Sequence, residues 1–279
     1  MNRRQYLGGL WAIALALTLI IQSCQIGAAG KSKLLLTGSS TVAPLVAEIA
    51  ERYQIQQPTA QIAIQTGGSN RGIADVIAGS ADVGMASRAL KADEQHLHVF
   101  TLAQDGIAML VHRDNPVGEL SPDQIRQIYL NQINSWADVG GQSRPLTVIS
   151  KTEQHATFDL FVDYFGVNPA DILADIVVGD NEEMIQAVMD HPNAIGYVSI
   201  GTAEYKIVHG IPLKLLPLQG TKATIANVRN GQFPLSRPLN LVTRTLPTGL
   251  AESFINFAQS DAVNDLIEQQ AFVPTTGDY

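Results

Sequence analysis

Apolar and polar positions follow two rhythms along this chain, and the switch between them recurs. Leu34-Leu35-Leu36 reads as a buried strand, after which Val42, Leu45, Val46, Ile49 and Tyr53 return at helical spacing. Gln61-Ile62-Ala63-Ile64-Gln65 alternates with period two. A Gly-rich turn follows, and Ile73, Val76 and Ile77 form the face of a short helix ending near Gly79. Asp82-Val83-Gly84-Met85-Ala86 and Gly106-Ile107-Ala108-Met109-Leu110-Val111 are further short strands. Strand, turn and helix in repetition predict an α/β fold.

The turn-rich Arg113-Asp114-Asn115-Pro116-Val117-Gly118 predicts a crossing into a second lobe. Beyond it, Ser121-Pro122-Asp123-Gln124 is a capping box with proline at the first helical position, opening a helix through Tyr129. Leu146-Thr147-Val148-Ile149 is a strand, and Phe158, Phe161, Val162 and Phe165 line a helix that stops at Gly166. A helix over 181–190 and a strand over Ala194–Ser199 follow. Near Leu239-Asn240-Leu241-Val242-Thr243 the chain is expected to cross back, with helices at 248–258 and 260–270 packing on the first lobe. The expected division is 34–112 with 224–279 as one lobe and 113–223 as the other. Two crossings create a cleft that can close by a hinge. Binding sites gather there, beyond the carboxyl ends of strands.

The N-terminus reads as an export signal. Arg3 and Arg4 precede an apolar run from Leu7 to Ile21, and Ile21-Gln22-Ser23-Cys24 has the shape of a bacterial lipobox. Residues 1–23 are thus expected to be a cleaved lipoprotein leader and 24–33 a linker. Cys24 would carry the lipid, tethering the globular part outside the cytoplasm, in the periplasm or at the cell surface. An uncleaved membrane anchor is the competing reading. The chain has a single cysteine, which leaves no partner for an intramolecular disulfide and no further thiolate for catalysis or a metal.

Charge and composition narrow the function. A net charge of −8 argues against nucleic acid as a partner. Among the scattered histidines only His96 and His98 are near neighbours, without metal-ligand spacing, so no metal or cofactor is expected. Gly67-Gly68-Ser69-Asn70-Arg71 misses the nucleophile elbow because Arg71 holds the last glycine position. These features predict a binder rather than an enzyme.

Three segments carry the chemistry: Thr37-Gly38-Ser39-Ser40-Thr41, Thr66-Gly67-Gly68-Ser69-Asn70-Arg71-Gly72, and Ser150-Lys151-Thr152-Glu153-Gln154-His155-Ala156-Thr157. Each follows a strand and leads into a helix, where the first amide donors lack internal partners and the peptide dipoles add about half a positive charge. Any one alone is an ordinary cap worth ~1 kcal/mol. Converging, the three make an oxyanion pocket.

In these residues the chain resembles the periplasmic phosphate-binding proteins of ABC importers. Thr37 to Pro44, Gly67 to Ile73 and Ala81-Asp82-Val83-Gly84-Met85-Ala86-Ser87-Arg88 carry the likeness. Asn134 to Gly141, Ala194 to Val198 and Phe233-Pro234-Leu235-Ser236-Arg237-Pro238-Leu239 continue it in order. The resemblance implies a monomeric, two-lobed type II solute-binding protein. Each lobe would be a mixed sheet flanked by helices, with the ligand cleft between them. It also implies capture of inorganic phosphate and delivery to a membrane permease. By matching position, Ser39, Ser40, Thr41, Ser69 and Ser87 would contact the ligand from one lobe, and Lys151, His155 and Thr157 from the other. Members commonly carry arginine followed by Gly-Ser-Gly-Thr at the second-lobe site. Here Lys151 lacks the planar fork of arginine, and His155-Ala156 replaces the Ser-Gly pair. Many longer members place a carboxylate at the Ser87 position. These departures keep sulfate, molybdate, tungstate or a phosphonate open as the ligand, and phosphate sensing or surface contact as the role. Arg71 and Arg88 flank the segments, with surface ion pairing as the plainer role; Trp136 and Tyr197 read as packing residues.

Overall fold

A computed structural model describes residues 32–275, so the leader and Cys24 lie outside the described residues. The chain begins with β1 (Ser32–Gly38), α1 (Ala43–Gln56), β2 (Ala60–Thr66), α2 (Ser69–Ala78) and β3 (Val83–Ala86). Next come β4 (His98–His112), α3 (Pro122–Tyr129), β5 (Thr147–Lys151), α4 (Ala156–Phe165), β6 (Ile176–Val178) and α5 (Asn181–Asp190). The remainder is β7 (Ala194–Ser199), α6 (Ile200–Val208), β8 (Leu213–Leu215), α7 (Ile225–Arg229), β9 (Ser236–Thr243), α8 (Gly249–Ala258), α9 (Asn264–Gln269) and β10 (Val273–Pro274).

Local chemistry sets several of these bounds. Ser121 Oγ accepts from Gln124 N while Gln124 Oε1 accepts from Ser121 N, so both halves of the predicted capping box form at the start of α3. α4 stops where Gly166 takes the left-handed conformation that other residues adopt at a cost. Among the described residues no helix is long and apolar enough to cross a membrane.

The strands order as β2-β1-β3-β9-β4-β7-β5-β6, with β8 and β10 also pairing with β4. β1 and β3 run parallel, as do β7 and β5, and β5 and β6. The central pairs of β9 with β3 and β4, and of β4 with β7, are antiparallel. Helices flank this mixed, curled sheet.

Two large groups of apolar side chains share strand β4. One contains Leu36, Leu45, Ile49, Met85, Leu241 and Phe254. The other contains Tyr129, Trp136, Phe161, Ile195, Tyr197 and Leu235. Each fully buried side chain of this size contributes about 1.5–3 kcal/mol. β4 feeds both, with Leu102 and Ala103 in the first and Ile107 to Met109 in the second. Its 15 residues pair with β9 up to Gly106 and with β7 from Ile107 onward. The change of partner falls upstream of the predicted crossing at Arg113–Gly118. The strand expected over 106–111 is thus the second half of a longer one.

Candidate functional site

The carboxyl ends of β1, β2, β3 and β5 bring the predicted segments together. After β1, Ser39 N donates to Met85 O at 2.8 Å, tying the turn to the end of β3. Ser39 Oγ accepts from Thr41 N and Val42 N, capping the entry to α1, and donates to Ser87 Oγ at 3.0 Å. Ser87 N in turn donates to Ser69 Oγ at 3.0 Å. Ser39, Ser69 and Ser87 therefore form one buried cluster.

At the centre lies a residue the sequence did not assign to the site. Arg237, only 1% exposed, donates from Nη1 to Ser87 Oγ and Thr157 Oγ1, each at 3.2 Å. Its Nη2 donates to Thr41 Oγ1 at 3.3 Å. Asp105 and Arg237 are cross-strand partners on β4 and β9, and Asp105 Oδ2 accepts from Arg237 Nε at 3.1 Å and Nη2 at 2.9 Å. The other carboxylate oxygen accepts from Gly201 N at the start of α6. A buried ion pair needs such further bonds to offset the cost of desolvating both charges. The signal in the sequence was two opposite charges set into otherwise apolar strands, where unpaired charge is costly. Arg237, Leu239 and Leu241 alternate along one face of β9, and all three are buried.

The guanidinium decides which way the hydroxyls point. A hydroxyl oxygen has two lone pairs and one hydrogen. Thr41, Ser87 and Thr157 each accept from Arg237, so their own hydrogens are left to be donated elsewhere, Ser87 having Ser69 Oγ at 3.4 Å as a protein partner. Three O–H donors around one buried cation suit a small oxyanion. Both Asp105 oxygens are engaged, so this carboxylate is taken up by Arg237 and Gly201 N.

Across the cleft, Lys151 ends β5 and is buried. Its Nζ donates to Asn181 Oδ1 at 2.6 Å, and Asn181 Nδ2 donates to Thr41 Oγ1 at 3.1 Å. Burial and the nearby Arg237 charge push the Lys151 pKa down to about 7, against the pull of Asp180, Asp105 and Glu183. Tyr197 holds the strand end in place. Its hydroxyl accepts from Lys151 N and lies 3.0 Å from Ser150 Oγ, while its ring stacks on Phe161. It is thus a packing residue that also positions the site.

Two predicted contacts lie apart from the hydroxyl cluster. Ser40 is half-buried and lines a cleft of about 230 Å³ with Thr41, Asn181, Thr202, Tyr205 and Phe272. His155 caps α4 through its backbone without a side-chain cap bond, and burial together with Lys151 lowers its pKa. The turn it belongs to meets α2 instead. Asn70 N donates to Gln154 O at 3.2 Å and Asn70 Nδ2 to Glu153 O at 2.9 Å. One amide at the start of α2 is therefore spent on the opposite segment. Arg88 makes a buried bidentate pair with Glu94 and lies 3.4 Å from Asp159, whereas Arg71 pairs with Asp75 on an exposed face. No group of three or more His, Cys, Asp or Glu among the described residues is arranged to hold a metal ion.

Comparison with known proteins gives the same frame. The PBP superfamily domain matches residues 24–262. The chain is 30% identical over 240 residues to the phosphate-binding protein PstS of Staphylococcus haemolyticus, covering 80% of this chain and 75% of that protein. It is 27% identical over 251 residues to the Bacillus subtilis protein of that name, covering 87% and 81%. Among solved structures, a phosphate ABC transporter substrate-binding protein from Clostridium perfringens with bound phosphate superposes with a TM-score of 0.81 at 29% identity. That match covers 88% of this chain and all of the other. Two-lobed binding proteins of this kind share its mixed α/β architecture.

Proposed function

The chain belongs to the PBP superfamily, and from that membership we propose that it is a solute-binding protein that captures inorganic phosphate and delivers it to an ABC permease. The observation that carries the reading is the convergence of Thr41, Ser87 and Thr157 on the Arg237 guanidinium. Thr41 and Ser87 follow β1 and β3, and Thr157 opens α4, so the donors come from both sides of the cleft. The lobes, in outline 34–112 with 224–279 and 113–223, close on the anion. Ser39 and Ser69 support this donor set, and Ser40 and His155 stand at its rim. Hydrogen bonds to a charged partner are worth about 1.5–3 kcal/mol each, so three well-aimed hydroxyls suffice for tight capture.

The full Asp105 carboxylate favours a second reading, in which sulfate or another tetrahedral oxyanion competes. A phosphate proton meets only hydroxyl oxygens here, which reject a fully deprotonated anion less firmly than a carboxylate does. A thermal-shift panel of phosphate, sulfate, molybdate and a phosphonate separates these readings. Phosphate at a hundredfold excess over its Kd should add about 2.7 kcal/mol of stability. A rise with sulfate or molybdate alone rejects phosphate as the ligand, and no rise with any of them rejects the oxyanion site.

Tethering through a lipid on Cys24, outside the cytoplasm, completes the proposal and rests on the lipobox pattern. A Cys24→Ser chain should lose the lipid mass and leave the membrane fraction. Continued retention of a processed chain contradicts the anchor.

A further inference from the structure

Lys151 has a donor-only head group in contact with an amide that bridges the cleft. An ammonium offers three hydrogens and no lone pair. It therefore admits one orientation of the Asn181 amide, with Oδ1 toward Lys151 at 2.6 Å. Nδ2 then points away and donates to Thr41 Oγ1 at 3.1 Å and Thr202 Oγ1 at 3.3 Å. Arg237 Nη2 fills the second lone pair of Thr41. Only the hydrogen of the Thr41 hydroxyl remains to be given away.

We propose that Lys151 is a positioning residue that fixes the direction of a hydrogen-bond chain from Lys151 through Asn181 to Thr41, and so keeps Thr41 a donor to the bound oxyanion. The inference rests on the oxyanion reading of the cluster. A neutral amine at this position gains a lone pair and can accept from Asn181 Nδ2. Because it also keeps two hydrogens it no longer dictates the orientation: the amide is free to turn over, and when Oδ1 faces Thr41 and takes its hydrogen the anion loses a donor.

The groups around Lys151 place this change near neutrality. Burial comes first, and Arg237 on β9 adds repulsion; Asp180 and Glu183 at the start of α5 and Asp105 on β4 oppose them, leaving a pKa of about 7. His155, ahead of α4, has a lowered pKa and stays neutral above pH 7, and Tyr197 on β7 is pushed up to about 12 and stays protonated. A bound anion draws the proton back onto Lys151. Binding therefore takes up a proton above pH 7, and affinity falls as pH rises through and beyond that value, by about tenfold per unit well above it.

The test is calorimetric titration of the full-length chain with inorganic phosphate from pH 6 to 9. Phosphate titrates in this range too, so each Kd is divided by that of Lys151→Arg, whose guanidinium keeps its proton. Lys151→Met gives an equally pH-silent reference if arginine does not fit. The expected ratio is flat below pH 7 and rises about tenfold per unit above it. In Asn181→Ala and Thr41→Val the rise should disappear. A flat ratio in the parent overturns the chain. So does a rise of parental size in Asn181→Ala, which would mean that Lys151 acts on the anion by charge alone. Absence of phosphate binding by the parent at every pH overturns the oxyanion reading itself, and the chain with it.

Discussion

Arg237→Met should abolish measurable phosphate binding and destabilise the protein by about 3–5 kcal/mol. Two separate losses combine. Asp105 has no exposed surface and would keep a buried charge whose remaining partner is Gly201 N. Thr41, Ser87 and Thr157 would lose the donor that turns their hydrogens outward. The double replacement Arg237→Met with Asp105→Leu separates the two effects. Removing both charges should restore most of the stability, because a buried pair replaced by apolar groups is often neutral or stabilising. Binding should stay lost. Arg237→Lys should bind poorly as well, since one ammonium cannot reach Asp105 and three hydroxyls in the geometry of a planar fork. Denaturant unfolding and titration calorimetry read both quantities. If Arg237→Met binds phosphate within tenfold of the parent, the guanidinium is not at the centre of the site.

Gly68→Ala should weaken phosphate binding by roughly a hundredfold through a clash between the two facing turns, without removing a donor hydroxyl. Gly68 precedes α2 with φ of +90°, where side chains are strained. A Cβ there would overlap the carbonyl oxygen of Gln154 and lie 2.7 Å from its carbon and 3.3 Å from His155 N. Those atoms belong to the opposite turn, which Asn70 grips through Gln154 O and Glu153 O. The methyl group therefore wedges the cleft and holds Thr157 away from the Arg237 cluster. Gly140→Ala is the control. That residue also has positive φ, but nothing lies within 4 Å of the added carbon. It should cost stability and leave affinity alone. Parental affinity in Gly68→Ala would show that the cleft closes without this contact.

Much of the fold was legible because it is written in local periodicity. α1, α2 and α4 carry clean apolar stripes, and the Ser121–Gln124 box marks the start of α3. β6 and β8 span three residues each, too few for a period to show. α6 opens directly from the strand at Ser199, whose hydroxyl accepts from Thr202 N. Its run Ile200-Gly201-Thr202-Ala203 offers no apolar stripe to announce a helix. The site divides in the same way. Ser39, Thr41, Ser69 and Thr157 belong to segments whose local signatures mark helix starts, whereas Ser87 is marked by the family resemblance alone. Asp105 and Arg237 pair over a separation of 132 residues, and Asn181 reaches Thr41 over 140. No window along the chain contains both halves of either contact.

Arg237 and Asp105 stand on β9 and β4, the strands that run between the two apolar groups. Both residues fall in the stretch proposed as the first lobe, on strands that run on toward the second. On the proposed division, separating the lobes should withdraw Thr157 while Thr41 and Ser87 stay with the guanidinium. An anion should then meet the guanidinium with Thr41 and Ser87 first and be enclosed from the side of Thr157 second, so that different residues set the rate of arrival and the length of stay.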